Sequence, residues 1–115
     1  MSSFFATMTC MDDEYAEAVL LIVESIPAGR VMTYGAIADV VADQVGRGGP
    51  RQVGAVMSHD GGGVPWWRVV RADGRGARGL EIRARELWLA EVTPMHPDGE
   101  RVDLRKAAWV PRGRP

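Results

Sequence analysis

The chain has a single cysteine, one basic residue in its first 46 positions and no long apolar run. Each shortage removes a class of protein. One thiol, Cys10, closes no internal disulfide, so a secreted disulfide scaffold is excluded and a reducing compartment is expected. The apolar stretch Val19–Val23 ends at Glu24, far short of the roughly 20 residues that span a bilayer. Met1–Met11 has no basic residue ahead of its apolar part, unlike a secretory signal. A soluble, intracellular chain without membrane attachment is the expectation. His59 and His96 have no cysteine or acid at ligand spacing, so neither metal nor cofactor is expected. Gly61–Gly63 lacks the Lys-Ser/Thr of a phosphate loop and reads as a flexible link.

What is present fits one domain: 115 residues, 46% hydrophobic and 25% charged, with a core over about 12–92 and a tail over 93–115. The net charge of −1, from 14 basic and 15 acidic residues, hides an asymmetry. Up to Gly46, Arg30 alone faces seven acids; beyond it, thirteen basic residues face eight. Eight of the thirteen lie in Arg47–Arg85 against Asp60, Asp73 and Glu81, a distribution suited to a polyanion as well as to a solvated face.

Asp12 or Asp13 is placed to cap a helix with Tyr15, Ala18, Val19, Ile22, Val23 and Ile26 on one face, stopped by Pro27-Ala28-Gly29. Thr33 is a good cap for a second helix, Tyr34–Asp43, with Tyr34, Ile37, Ala38 and Val41 inward. A turn over Gln44–Gly49 leads to a third helix, Pro50–Ser58, with proline at its first position and Val53, Val56 and Met57 inward. Val64–Arg71 reads as extended up to an Asp73-Gly74 turn. A fourth helix over Leu80–Val92 places Leu80, Ala84, Leu87 and Trp88 inward, with Arg83, Arg85 and Glu86 at least partly outward. The predicted class is mainly α with a small β element, a winged-helix-like helix-turn-helix domain. By this pattern alone, a sequence-specific helix-turn-helix regulator with Arg51 and Gln52 reading bases stays open, as does a thiol enzyme acting through Cys10.

The segment Val64-Pro65-Trp66-Trp67-Arg68-Val69-Val70 resembles the active-site strand of the O6-alkylguanine-DNA alkyltransferases, in which proline is followed by Cys-His-Arg-Val. Trp66 stands at the cysteine position and Trp67 at the histidine position. Two more blocks resemble the family in order and spacing: Val31-Met32-Thr33-Tyr34-Gly35-Ala36-Ile37-Ala38, and the recognition helix Pro50-Arg51-Gln52-Val53-Gly54-Ala55-Val56-Met57. Tryptophan in place of the cysteine marks the alkyltransferase-like proteins, which bind alkylated DNA without repairing it. The chemistry agrees with that loss. Alkyl acceptance needs a thiolate and a base or positive field to generate it, and an indole supplies neither. No catalytic residue is expected.

The resemblance implies roles. Trp66 walls a lesion pocket and stacks on a flipped base, with Tyr34, Met57, Pro65, Val69 and Arg78 around it; Arg78 is the nearest match to a basic residue that borders the modified O6 edge. Arg51 matches the arginine finger that fills the space of the extruded base through the minor groove, and Tyr34 matches the tyrosine that crowds the target phosphate. Thr33 caps a helix whose free N–H groups suit phosphate. Gly54 and Ala55 let the recognition helix lie close to DNA. Gln52 joins this DNA-facing helix, and Arg47, Arg71, Arg75 and Arg78 are phosphate contacts or solvated charges. Trp67 packs on the opposite face of the strand. Glu91 matches the glutamate that orients the histidine of active relatives and has no relay partner here. The implied function is binding of O6-alkylguanine in double-stranded DNA by base flipping, as a monomer without cofactor, followed by hand-over to nucleotide excision repair proteins.

Overall fold

The computed structural model describes the backbone of residues 2–111 and the side chains of residues 14–111. Cys10, Asp12 and Asp13, and the roles expected of their side chains, lie outside the described side chains. Helix α1 spans Ser2–Ser25, so the chain is already helical before the expected cap at Asp12 or Asp13. No proline or glycine precedes Pro27 to interrupt it. After the Pro27–Gly29 turn comes β1 (Met32–Thr33), then α2 (Tyr34–Val45) and α3 (Pro50–Asp60). Both later helices start as the sequence indicates: Thr33 Oγ1 accepts the Ala36 N–H at 3.0 Å, and Pro50 opens α3, where Gln52 Oε1 accepts the Gly49 N–H at 2.9 Å. Gly46, at φ +77°, ends α2 in the left-handed conformation that glycine tolerates. Both helices outrun their predicted ends by two residues, because nothing in Gln44-Val45 or His59-Asp60 opposes a further half-turn.

Val19, Val23, Ile26, Ile37, Val41 and Val53 are buried where α1, α2 and α3 meet, and this cluster fixes the helix-turn-helix. The small sheet is parallel: β2 (Val69–Val70) pairs with β1 in the register Met32 to Val69 and Thr33 to Val70. The expected extended run Val64–Arg71 is therefore mostly not a strand. Trp66–Arg68 is a single 3-10 turn, closed by hydrogen bonds from the Arg68 N–H to the Pro65 carbonyl at 3.0 Å and from the Val69 N–H to Trp66.

A second core holds Val31, Val70, Ala84, Trp88, Val102 and Ala107. It explains the tail, whose lack of periodicity gave no sign of packing. Val102 and Ala107 are fully buried, Val31 bridges to Ala108, and the Arg30 guanidinium binds the carbonyls of Ala107 and Ala108. The short helix α5 (Leu104–Ala107) is capped by Asp103. Helix α4 (Glu81–Ala90) buries Ala84 and Trp88 as expected, but Leu80 precedes it and is 46% exposed, contrary to its expected inward position. No described helix is long and apolar enough to cross a membrane.

Candidate nucleic-acid interface

Helix α3 has two flanks. Pro50, Gly54, Met57 and Ser58, spaced at helical intervals, line a cleft of about 680 Å³ that Tyr34, Trp66, Arg71, Ala77, Arg78 and Leu80 complete. Gln52, Ala55, Val56 and His59 line a separate groove on the other flank with Tyr15 and Arg47. Arg51 is exposed at the first turn and makes no hydrogen bond or ion pair among the described residues. A Cβ added at Gly54 meets nothing within 4 Å, so the backbone there is open to close approach.

Of the residues expected around the pocket, Trp66, Tyr34, Met57 and Arg78 do converge on the cleft. Val69 does not: its register with Met32 turns it into the core, where it is 1% exposed. Pro65 is half-buried beside the turn and does not line the cleft. Among residues expected to contact DNA, Gly54 and Arg71 face the cleft, whereas Gln52, Ala55 and Arg47 face the second groove. Gln52 Oε1 is engaged in capping α3, and the Arg47 guanidinium lies 5.7 Å from the centre of the Tyr15 ring. Arg75 is paired with Asp73 and Glu100, outside the cleft. Thr33 serves as the cap of α2, directly before Tyr34.

The cleft lining is mostly apolar and carries two arginines, Arg71 and Arg78. Arg78 is exposed and without an ion pair among the described residues, while Arg71 is held by the Gly76 carbonyl at 2.9 Å and by Glu81 at 3.3 Å. Burial raises the Tyr34 pKa above its ordinary value against the opposing pull of Arg71, so its hydroxyl stays protonated at neutral pH and can donate to an anion. Trp66 and Trp67 share one turn but point to different surroundings. Both pack against the second core, but only Trp66 also borders the cleft; the Trp67 carbonyl accepts the Trp88 Nε1–H at 2.6 Å. The alternation expected of a strand is replaced here by a 3-10 turn.

Residues 14–92, which hold α2, α3 and the turn carrying Trp66, match the family model of the 6-O-methylguanine DNA methyltransferase DNA-binding domain. The chain belongs to this family, as an alkyltransferase-like member. It is 34% identical over 105 residues to the Escherichia coli (strain K12) DNA base-flipping protein, covering 85% of this chain and 76% of that one. A DNA base-flipping protein of Vibrio parahaemolyticus is 29% identical over 103 residues, covering 86% of this chain and 99% of the relative. Its fold is similar to that of S. pombe Atl1 solved in complex with damaged DNA containing O6-carboxymethylguanine, with a TM-score of 0.70, 31% identity, and coverage of 86% of this chain and 97% of that one.

Sequence reasoning missed part of this alkyltransferase-like site. Ala77 and Leu80 line the cleft: the glycine-punctuated run Gly74–Gly79 carries no periodic signal that would aim Ala77, and helical spacing aimed Leu80 at the core instead. Arg68 was passed over entirely. Its partner Glu91 is 23 residues further along the chain, and only the tertiary fold brings them together.

Proposed function

We propose that this protein binds O6-alkylguanine in duplex DNA, turns the damaged nucleotide out through the minor groove into the cleft beside α3, and holds it there without alkyl transfer. The observation that carries this reading is Trp66, an indole bordering an open cleft beside α3, which the sequence resemblance aligns with the family's acceptor position. Stacking on an aromatic face stabilises an extruded base by about 1–3 kcal/mol, comparable with the few kcal/mol that extrusion costs. A damaged, poorly paired guanine lowers that cost further. Arg51 fills the vacated stack, Tyr34 donates to the target phosphate, and Arg78 meets the modified edge of the base.

The base-flipping relatives and the fold shared with lesion-bound Atl1 support this reading. With no thiolate at Trp66 and no imidazole at Trp67, the bound lesion persists, and the complex marks it for nucleotide excision repair proteins. The minor groove distinguishes bases poorly, so selectivity resides in the lesion rather than in flanking sequence. Competition between matched duplexes with and without O6-methylguanine tests the proposal; equal affinity for the two overturns it.

A further inference from the structure

Behind the cleft, Arg68 is gripped from several sides. Its Nε donates to Glu91 Oε1 at 3.1 Å, its Nη2 to Glu91 Oε2, and its Nη1 to the Ile26 carbonyl at 2.8 Å. Glu91 Oε1 also accepts the Gly29 N–H at 3.2 Å. The two side chains are only 17% and 15% exposed, so this forked pair is held in a partly dry setting where its geometry is fixed. The guanidinium lies 5.5 Å from the centre of the Trp67 ring, and Trp67 in turn meets Trp66 edge to face at 5.7 Å. A continuous chain of contacts therefore runs from Glu91 through Arg68 and Trp67 to the ring that borders the cleft.

Resting on the base-flipping reading above, we propose that Glu91 and Arg68 are positioning residues that set the Trp66 ring plane for stacking on the extruded base. In this chain the carboxylate at the orienting position acts on an aromatic wall through a guanidinium. The physical reason is that Trp66 is only half-buried between the second core and the cleft, and a base is stacked well only against a plane held in advance. The face of Trp67 is pinned by the Arg68 cation, and the edge-to-face contact leaves Trp66 a narrow range of tilt. The other rim arginines, Arg71 and Arg78, do not contact this pair.

The test uses the full chain and its Glu91→Gln and Arg68→Lys variants. Gln keeps the shape and one acceptor without the charge; Lys keeps the charge without the fork or the planar face. Binding is measured to an O6-methylguanine duplex and to the same duplex unmodified, with the Trp66–Trp67 exciton band in circular dichroism as a direct report of ring geometry. The expected result is a preference for the damaged duplex that drops about tenfold in both variants, the scale of one charged hydrogen bond. The exciton band should change with it, while affinity for the unmodified duplex falls much less. Three results overturn the inference: variants that keep the wild-type preference, affinity for both duplexes falling equally, or an unchanged exciton band. Wild-type protein that binds both duplexes equally instead overturns the underlying reading. Arg83→Gln, which breaks an exposed pair with Glu86 on the far side of α4, serves as a control expected to change neither quantity.

Discussion

Trp66 and Trp67 meet edge to face, their ring centres 5.7 Å apart and their planes at 88°. Both indoles pack against the second core, and Trp66 alone borders the cleft as well. Trp66→Ala is expected to remove most of the preference for a damaged duplex, a loss of about 1–3 kcal/mol of binding, while Trp66→Phe retains part of it. Fluorescence anisotropy with the two matched duplexes measures this. Trp66→Cys is expected to show no methyl transfer by mass spectrometry, because Trp67 offers no base to generate a thiolate.

Arg51 projects from the first turn of α3 with no hydrogen bond or ion pair among the described residues. Arg51→Ala should therefore leave the thermal midpoint within error and weaken binding to damaged duplex by about 1–3 kcal/mol. A variant that melts early would show that the side chain serves the fold.

Glu91 titrates below the ordinary glutamate range. Burial pushes its pKa up, but the hydrogen bonds from Arg68 and the Gly29 N–H more than offset this, and the buried Trp67 Nε1–H leans on the same carboxylate without a hydrogen bond of good geometry. The folded pKa lies below the unfolded one, so the pair's contribution to stability is fully present above the unfolded value. It is lost as pH falls through the folded value. Urea melts from neutral pH down into the acid range should show this loss, and Glu91→Ala should be less stable at neutral pH by about 1–3 kcal/mol and lack that part of the slope.

Val92 adopts φ +59°, the left-handed region, with its side chain 83% exposed at the end of α4. A β-branched residue there carries about 1–2 kcal/mol of steric strain. Val92→Gly is expected to stabilise the fold by about 0.5–1 kcal/mol after the added chain entropy of glycine, read as a higher urea midpoint.

Residues 93–111 complete the second core, and the contact between Gly74 and Val102 shows how closely. Gly74 has φ +89°, and a Cβ there would lie 2.5 Å from the Val102 carbonyl oxygen. Gly74→Ala should destabilise by more than 1 kcal/mol in the same melts, while alanine at Gly46, also at positive φ but with nothing within 4 Å, should cost less.

The three helices before Gly61 were legible because each has a local signature: the apolar stripe of α1, the Thr33 cap and the Pro50 start. Trp66, Tyr34 and Met57 were legible through motif order. What escaped depends on distant partners. Trp66–Arg68 forms a turn because Trp88 and Glu91, more than 20 residues on, hold it, and no periodicity within Val64–Arg71 reveals that. Val69 was misplaced for the same reason, since pairing with Met32 decides its face. Leu80 reads as core on helical spacing, yet the helix starts one residue later and leaves it at the cleft wall.

Whether the Trp66 cleft receives an alkylated guanine is decided by competition binding at fixed salt. A labelled O6-methylguanine duplex is displaced by unlabelled duplexes that differ only in that methyl group, using the wild type and Trp66→Ala. The wild type is expected to prefer the damaged duplex by at least about tenfold, equivalent to about 1.4 kcal/mol, and Trp66→Ala to lose most of that preference. Equal displacement by both competitors, or a preference that survives in Trp66→Ala, would contradict it.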